Sequence, residues 1–584
     1  MVSAADAGDA AALLTDVPAD RRVALVDPRF VGHLHALRLG LTDPRFPAAT
    51  VPGALTAQPQ ARPALVRALE RATAAVGAGA PVVDPGTDPA PEDRTVPGRI
   101  AVALEAEGIG VQRPALGSLV AAVPTDPAQE AAAVAGVAAV DDEAVRLRSA
   151  VKSRDGFFTT FCISPYSRYI ARWCARRGFT PNQVTTASLI TALIAAGSAA
   201  TGTRGGYVAA GILLLLSFVL DCADGQLARY SLQYSTMGAW LDATFDRAKE
   251  YAYYAGLAIG AARGGDDVWV LALGAMVLQS CRHVVDFSFN EANHDSVANT
   301  SPTAALSDAL DNVGWTVWVR RMIVLPIGER WAMIAVLTAL TTPRTVFYAL
   351  LIGCALAACY TMVGRLLRSV TRKARRTERA ARALADLADS GPLAQAVASL
   401  VRGPKGALTA PAAALIGTLA MIGAALFLPY GSWLTVVAAA VHVLLSGFAV
   451  ARPLRRALDW LVPPFFRAAE YVTILVLAAR SDVPHAVPAA FGLVSAVAYH
   501  HYDTVYRIRG ATGAPPQWLV RTIGGHEGRT ALVAVLAAVL TRTSGFTTAL
   551  TALAVAVALV VLVESIRFWV SSSAPAVHDE GELA

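Results

Sequence analysis

Apolar positions gather into two long blocks, at about 184–368 and 408–571, with a charged stretch between them and a polar, irregular region in front. Within the first block the apolar runs fall at about 184–202, 207–228, 235–261, 267–285, 329–342 and 344–368. A helix that crosses a bilayer needs about 20 residues, so the fifth run is short for a span. Lipid offers the backbone no hydrogen bonds, which makes helix the expected state of every run. The second block has room for roughly five or six more spans of that length. Residues 1–150 read as a small soluble, α/β-like region of no assigned role. Arg22–Asp27 (RVALVD) predicts a buried strand, Pro63–Val76 a helix, Ala80–Gly98 a linker rich in Pro, Asp and Gly, and Pro127–Arg154 long helical runs leading towards the membrane. The expected organisation is therefore a soluble region 1–150, a membrane domain 151–370, a charged helix and linker 371–407, a second helical membrane domain 408–571 and a disordered acidic tail 572–584.

Composition agrees with an α-helical integral membrane protein carrying a soluble part. Apolar residues make up 55% of the chain, charged residues 16%, and the mean hydropathy is +0.47. The formal charge of +6 is modest, and its placement matters more. Arg168, Arg172, Arg176 and Arg177 precede the first run, and Arg372, Lys373, Arg375, Arg376, Arg379 and Arg382 follow the sixth. Positive flanks face the cytoplasm, so both ends of this block are expected inside, along with the loop between the second and third spans. These basic clusters flank apolar spans and come with no binding motif, which argues against nucleic acid as a partner. The stretch 157–178 interleaves its arginines with Phe157, Phe158, Tyr166, Tyr169 and Trp173 and is expected to lie along the inner surface of the bilayer. Asp6, Asp9, Asp16 and Asp20 crowd the first residues where a signal peptide would need an apolar core, so the N-terminus is expected to stay in the cytoplasm. The six cysteines form no CxxC pair and are expected as small buried hydrophobes.

One segment carries the chemistry: DCADGQLARYSLQYSTMGAWLDATFD, residues 221–246. Asp221 and Asp224 are three apart and Asp242 and Asp246 four apart, so each pair lies on one helix face. The turn around Tyr230–Thr236 lets the two helices run antiparallel and the pairs face each other. A charged side chain at the centre of a membrane helix costs about 2.5–3.5 kcal/mol on insertion scales. Packing alone would not select four. Divalent cations relieve the repulsion, and hard oxygen ligands suit magnesium (Mg2+) or manganese (Mn2+). Gly225 and Gly238 are expected to clear space where a ligand approaches the backbone. The bland alternative has the aspartates capping helices and pairing with Arg229, Arg247 and Lys249.

The spacing D-x2-D-G-x2-A-R-x8-G-x3-D-x3-D resembles the signature of the CDP-alcohol phosphotransferases at every fixed position. The resemblance covers about residues 150–370 and implies six transmembrane helices behind a juxtamembrane helix, usually in a homodimer. It implies that Asp221, Asp224 and Asp242 ligate metal bridging the diphosphate of a CDP-alcohol, and that Asp246 is the catalytic base and also touches metal. It implies that Gly225, Ala228, Arg229 and Gly238 shape the CDP pocket. Thr180–Thr185 resembles the segment that opens the first span beside the nucleotide, which adds Pro181 and Thr185 to the CDP-binding set. The implied setting is the plasma membrane, with the site facing the cytoplasm.

Donor and acceptor are less defined. Lys152, Arg154 and Asp155-Gly156 resemble the start of the membrane domain in bifunctional enzymes that make CDP-inositol and join it to inositol phosphate. Residues 1–150 lack the Gly-rich loop of the cytidylyltransferase those enzymes carry. An inositol-phosphate acceptor calls for cations, with Lys152, Arg154, Arg282, Arg320 and Arg321 as candidates. A lipid synthase using CDP-diacylglycerol is the competing reading, and a transporter with intramembrane aspartates is the reading from another class. In the second block, Arg467, Glu470, His500, His501, Asp503, Tyr506, Arg507, His526, Glu527 and Arg529 suit either a metal or buried ion pairs. HHYDTVYRIRG (500–510) echoes DCADGQLARYS weakly, so a degenerate, non-catalytic duplication is one expectation for this block.

Overall fold

The computed structural model describes residues 3–43, 46–77, 95–152, 155–293, 322–371, 376–401, 406, 408–510 and 512–571. The expected linker therefore falls mostly outside the described residues, and the expected acidic tail entirely so.

The soluble region holds α1 (Ala7–Thr15), β1 (Val23–Val26), β2 (Val31–Gly32), α2 (Leu34–Leu41), β3 (Ala48–Val51), β4 (Ala54–Ala57), α3 (Arg62–Gly77), α4 (Val96–Ala106), β5 (Val111–Gln112), β6 (Ala121–Ala122), α5 (Pro127–Ala138) and α6 (Asp142–Ser149). Its main sheet runs β1-β4-β3-β5, antiparallel except for β3 with β5. The strand read as buried, β1, is in fact the edge and half-exposed; the buried centre is the β3–β4 hairpin. That hairpin, AATV-PG-ALTA, turns on Gly53 at φ +82°, and its alanines carry too little β-propensity to stand out in the sequence. The helical run expected over 127–154 is two helices. Asp141 starts the second by accepting from the amides of Glu143 and Ala144, which stops the first.

The first membrane block follows the expectation closely. A juxtamembrane helix, α7 (Ser164–Arg176), precedes α8 (Pro181–Ala200), α9 (Arg204–Ser231), α10 (Thr236–Arg263), α11 (Trp269–Asn293), α12 (Ile327–Leu340) and α13 (Pro343–Thr371). α7 buries Ser164, Ser167, Ala171 and Cys174 and turns Tyr166, Tyr169 and Trp173 outward, the basic-aromatic face that suits a lipid surface. α8 opens on a capping box between Thr180 and Gln183. α8 and α10 approach backbone to backbone, since a Cβ on Gly256 or Gly260 would strike the carbonyls of Ala196 and Ala199.

The second block begins with two short amphipathic helices, α14 (Glu378–Leu387) and α15 (Pro392–Leu400). It continues through α16 (Thr409–Phe427), α17 (Trp433–Val450), α18 (Val462–Arg480), α19 (Ala486–Arg509), α20 (Gln517–Thr522), α21 (Gly525–Val539) and α22 (Ser544–Ser571). Among the described residues eight helices are long and apolar enough to cross a membrane, four in each block. α10 misses that measure through its charges, α19 through the polar His500, His501 and Asp503 that lower its hydropathy, and α12 and α21 through their length. The chain is a multi-pass membrane protein. Of the cysteines, Cys174 and Cys354 are buried as expected and Cys222 and Cys281 half-buried, whereas Cys162 and Cys359 are exposed.

Candidate active site

The site forms where α9 ends and α10 begins. Leu232 closes α9 in the left-handed region at φ 54°, and Ser235 caps α10 by accepting from Gly238 N at 2.9 Å. This tight reversal sets the two acidic faces against each other. Carboxylate oxygens of Asp221, Asp242 and Asp246 all lie within 4.8 Å of one another. Asp224 is buried beside Thr185, and its Oδ2 has no hydrogen-bond partner among the described residues. A buried, unpartnered carboxylate oxygen is costly unless something absent from the polypeptide satisfies it. Three convergent carboxylates and a fourth with a spare oxygen fit a hard divalent cation.

Lys249, expected only as a pairing partner in the bland alternative, sits at the centre of the site. It is fully buried, ion-paired to Asp221, and 3.2 Å from Asp246. Its position three residues after Asp246 on the same helix face was the available signal. In part this bears out the bland alternative, but one ammonium cannot balance four carboxylates. The other two cations are engaged elsewhere. Arg247 binds Glu250 at 2.7 Å, and Glu250 also holds Arg330 of α12 at 3.2 Å. Arg229 donates from Nε to the carbonyl of Ala150, at 2.5 Å.

That last contact ties the soluble region to the site. Arg146 of α6 donates to Tyr230 O at 3.2 Å and covers the Tyr230 ring, while Glu143 accepts from the Tyr230 hydroxyl and from Arg176. Among the other CDP-pocket candidates, Pro181 is in the first turn of α8, and its carbonyl accepts from Thr185. The Ala228 carbonyl is used to close α9. Gly225 is covered by the Arg229 guanidinium. Gly238 does not open the expected gap: a Cβ there would meet Asn182 Oδ1 and Ser235 Oγ, each at 2.8 Å. Its missing side chain instead lets the starts of α8 and α10 close together.

Of the acceptor candidates, Lys152 is exposed, and its charge bears on Asp242. Arg282 is buried, donates to Val324 O, and has Asp286, Arg330 and Arg365 as its charged neighbours. Arg154, Arg320 and Arg321 lie outside the described residues. In the second block Arg467, Glu470, Arg529 and His500 join a buried ion-paired set with Asp389, Arg507 pairs with Asp503 and Glu564, and Glu527 accepts from the amides of Gly391 and Ala394. Among the described residues, the acidic group at Asp221, Asp242 and Asp246 is the one cluster of metal-ligating side chains.

Fold and site together define a helical membrane protein with a metal-suited carboxylate centre at the junction of its second and third spans. Residues 179–358 match the CDP-alcohol phosphatidyltransferase family, and this segment is a CDP-alcohol phosphatidyltransferase domain. Residues 378–584 match a family of unknown function, DUF5941. The chain is 32% identical over 140 residues to the phosphatidylinositol phosphate synthase of Streptomyces avermitilis, covering 24% of this chain and 54% of that protein. It is 30% identical over 113 residues to the archaetidylinositol phosphate synthase of Pyrococcus horikoshii, 19% of this chain and 58% of that one. It is 33% identical over 132 residues to the bifunctional IPC transferase and DIPP synthase of Aquifex aeolicus, 22% of this chain and 29% of that one. The chain thus spans a little over half the length of two of these relatives and under a third of the other.

Proposed function

We propose that this protein is a CDP-alcohol phosphotransferase that moves a substituted phosphoryl group from a CDP-alcohol to an acceptor hydroxyl and releases CMP. The convergence of Asp221, Asp242 and Asp246 beside the unpartnered oxygen of Asp224 carries this reading. Magnesium or manganese, held by these four carboxylates, would supply Lewis acidity and neutralise the diphosphate. Asp246 takes the proton of the acceptor hydroxyl as that oxygen attacks the phosphorus bearing the donor alcohol. One P–O bond forms to the acceptor and the P–O bond to CMP breaks. Lys249 holds Asp246 and Asp221 in place between the two helices. Pro181, Thr185, Gly225, Ala228, Arg229 and Gly238 frame the cytidine end. The active site faces the cytoplasm at the plasma membrane.

The acceptor in this reading is an inositol phosphate, with Lys152 beside Asp242 as the cation that meets its phosphate. The names of the Streptomyces and Pyrococcus relatives favour a second reading in which the donor is a lipid CDP-alcohol. Purified protein given a panel of CDP-alcohols and acceptors decides between them, with CMP release and the mass of the second product as readouts. A water-soluble inositol-containing diester supports the first donor class; a phosphatidyl product moves the assignment to lipid synthesis; no magnesium-dependent CMP release from any pair sinks both.

A further inference from the structure

We propose that the second membrane block is a degenerate copy of the first, paired with it about an internal two-fold axis, so that one chain supplies its own dimer partner and keeps a single active site.

Helix order and packing carry the first part. α8, α9, α10, α11, α12 and α13 correspond in turn to α16, α17, α18, α19, α21 and α22. Both blocks place a short helix fifth and a long one last, 14 and 29 residues in the first and 15 and 28 in the second. The same pairs pack together in each. In the first block α8 packs on α9 and α10, α9 on α12, α10 on α11, α11 on α13, and α12 on α13. In the second, α16 packs on α17 and α18, α17 on α21, α18 on α19, α19 on α22, and α21 on α22. The juxtamembrane helices follow suit, α7 on α9 and α15 on α17.

Sequence follows the same register. WLDATFDRAKEY (240–251) stands against WLVPPFFRAAEY (460–471), YVAAGILLLLS (207–217) against VVAAAVHVLLS (436–446), and RWAMIAVLTALTT (330–342) against RTALVAVLAAVLT (529–541). The equivalent residues do equivalent things. Arg247–Glu250–Arg330 is repeated as Arg467–Glu470–Arg529, with Glu470 at 2.9 Å from Arg467 and 2.5 Å from Arg529. In this register the copy has Val450, Pro453, Val462 and Phe466 in place of the four aspartates, and Ala469 in place of Lys249. Where the first block leaves an excess of negative charge, the copy is internally paired: Asp389, from the loop between α14 and α15, binds Arg467, Arg529 and His500. The alignment also corrects the echo noted above. His500 and Asp503 fall on the fourth helix, opposite His283 and Asp286, and not on the helix of DCADG.

The interface between the blocks carries the second part. In a two-fold pairing, residue i of one unit meets j of the other, and j of the first meets i of the second. Here α11 packs on α18, α10 packs on α19, and the equivalents α11 and α19 pack on each other. The tryptophans obey the rule in detail. Trp460 donates its indole N–H to Ser369 Oγ at 2.9 Å. Its equivalent, Trp240, stacks at 6.1 Å on Trp569, which holds the place of Ser369. The pairing reaches the site, for Tyr502 of the copy covers Arg247, the residue next to Asp246, at 5.1 Å.

The test uses the full chain in detergent, with native mass spectrometry over a hundredfold dilution while CDP and manganese are titrated. The expected particle is one chain at every dilution, binding one CDP. Particles of two chains at every dilution, or two CDP molecules per chain, overturn the proposal. A one-chain particle that binds no CDP supports the internal pairing and counts against the phosphotransferase reading on which the single site rests.

Discussion

The two membrane blocks have the same Arg–Glu–Arg frame and opposite electrostatics around it. In the first, four carboxylates face one buried ammonium, and one carboxylate oxygen has no partner. In the second, the corresponding places are apolar, and a single added acid, Asp389, pairs with both arginines of the frame and contacts His500. The frame is therefore structural and the excess charge is functional. A protein that keeps a costly cluster in one block, where a block of matching helix order and packing has apolar residues, holds it there for a ligand.

This contrast can be broken by substitution. Asp246→Asn should lower turnover at least a thousandfold while CDP-alcohol still binds, because the acceptor proton loses its base. Full activity would refute that assignment. Asp221→Asn and Asp224→Asn should each weaken manganese and CDP together, by about ten- to a hundredfold, measured by calorimetry. Chelation of the wild type should reproduce the loss, and readdition of magnesium should reverse it. Lys249→Met should cost about tenfold in turnover and sharpen the contrast in another way. The metal-free protein should melt lower, and the gain in melting temperature on adding metal should grow, since the cation becomes the sole partner of the carboxylates. Glu470→Gln in the copy should have the smallest effect on the chemistry, with CDP affinity within about twofold of wild type. It should still lower the melting temperature by several degrees, because buried arginines lose a partner. A large loss of CDP affinity in that variant would place catalytic machinery in the second block.

Much of this was legible in the sequence, for identifiable reasons. Metal chemistry fixes both the residue type and the helical spacing, so 221–246 could be read without a structure. The spans were legible because lipid leaves helix as the available state, and their predicted ends fall within about three residues of α8–α13, except that α11 runs on to Asn293, past the expected end at 285. Lys249 was read only as an ordinary pairing partner of the aspartates, because its complete burial is not visible in the sequence. Gly238 was misread because sequence cannot say whether the space beside a glycine is empty or holds Asn182. The buried β3–β4 hairpin was hidden by its alanines. The repeat was nearly invisible because the residues that define the first block, its four acids, are the ones the copy has lost. The shared Arg–Glu pair and tryptophans become significant only when the structure places them in equivalent contacts.

In the proposed reaction the acidic cluster binds a divalent cation, which in turn binds the diphosphate of CDP. Electron paramagnetic resonance of manganese bound to the purified protein, with and without CDP, tests it most directly. Bound manganese should give a signal that changes when CDP is added, CDP binding should disappear on chelation, and both should be lost in Asp221→Asn. CDP binding of equal strength with and without metal would contradict it.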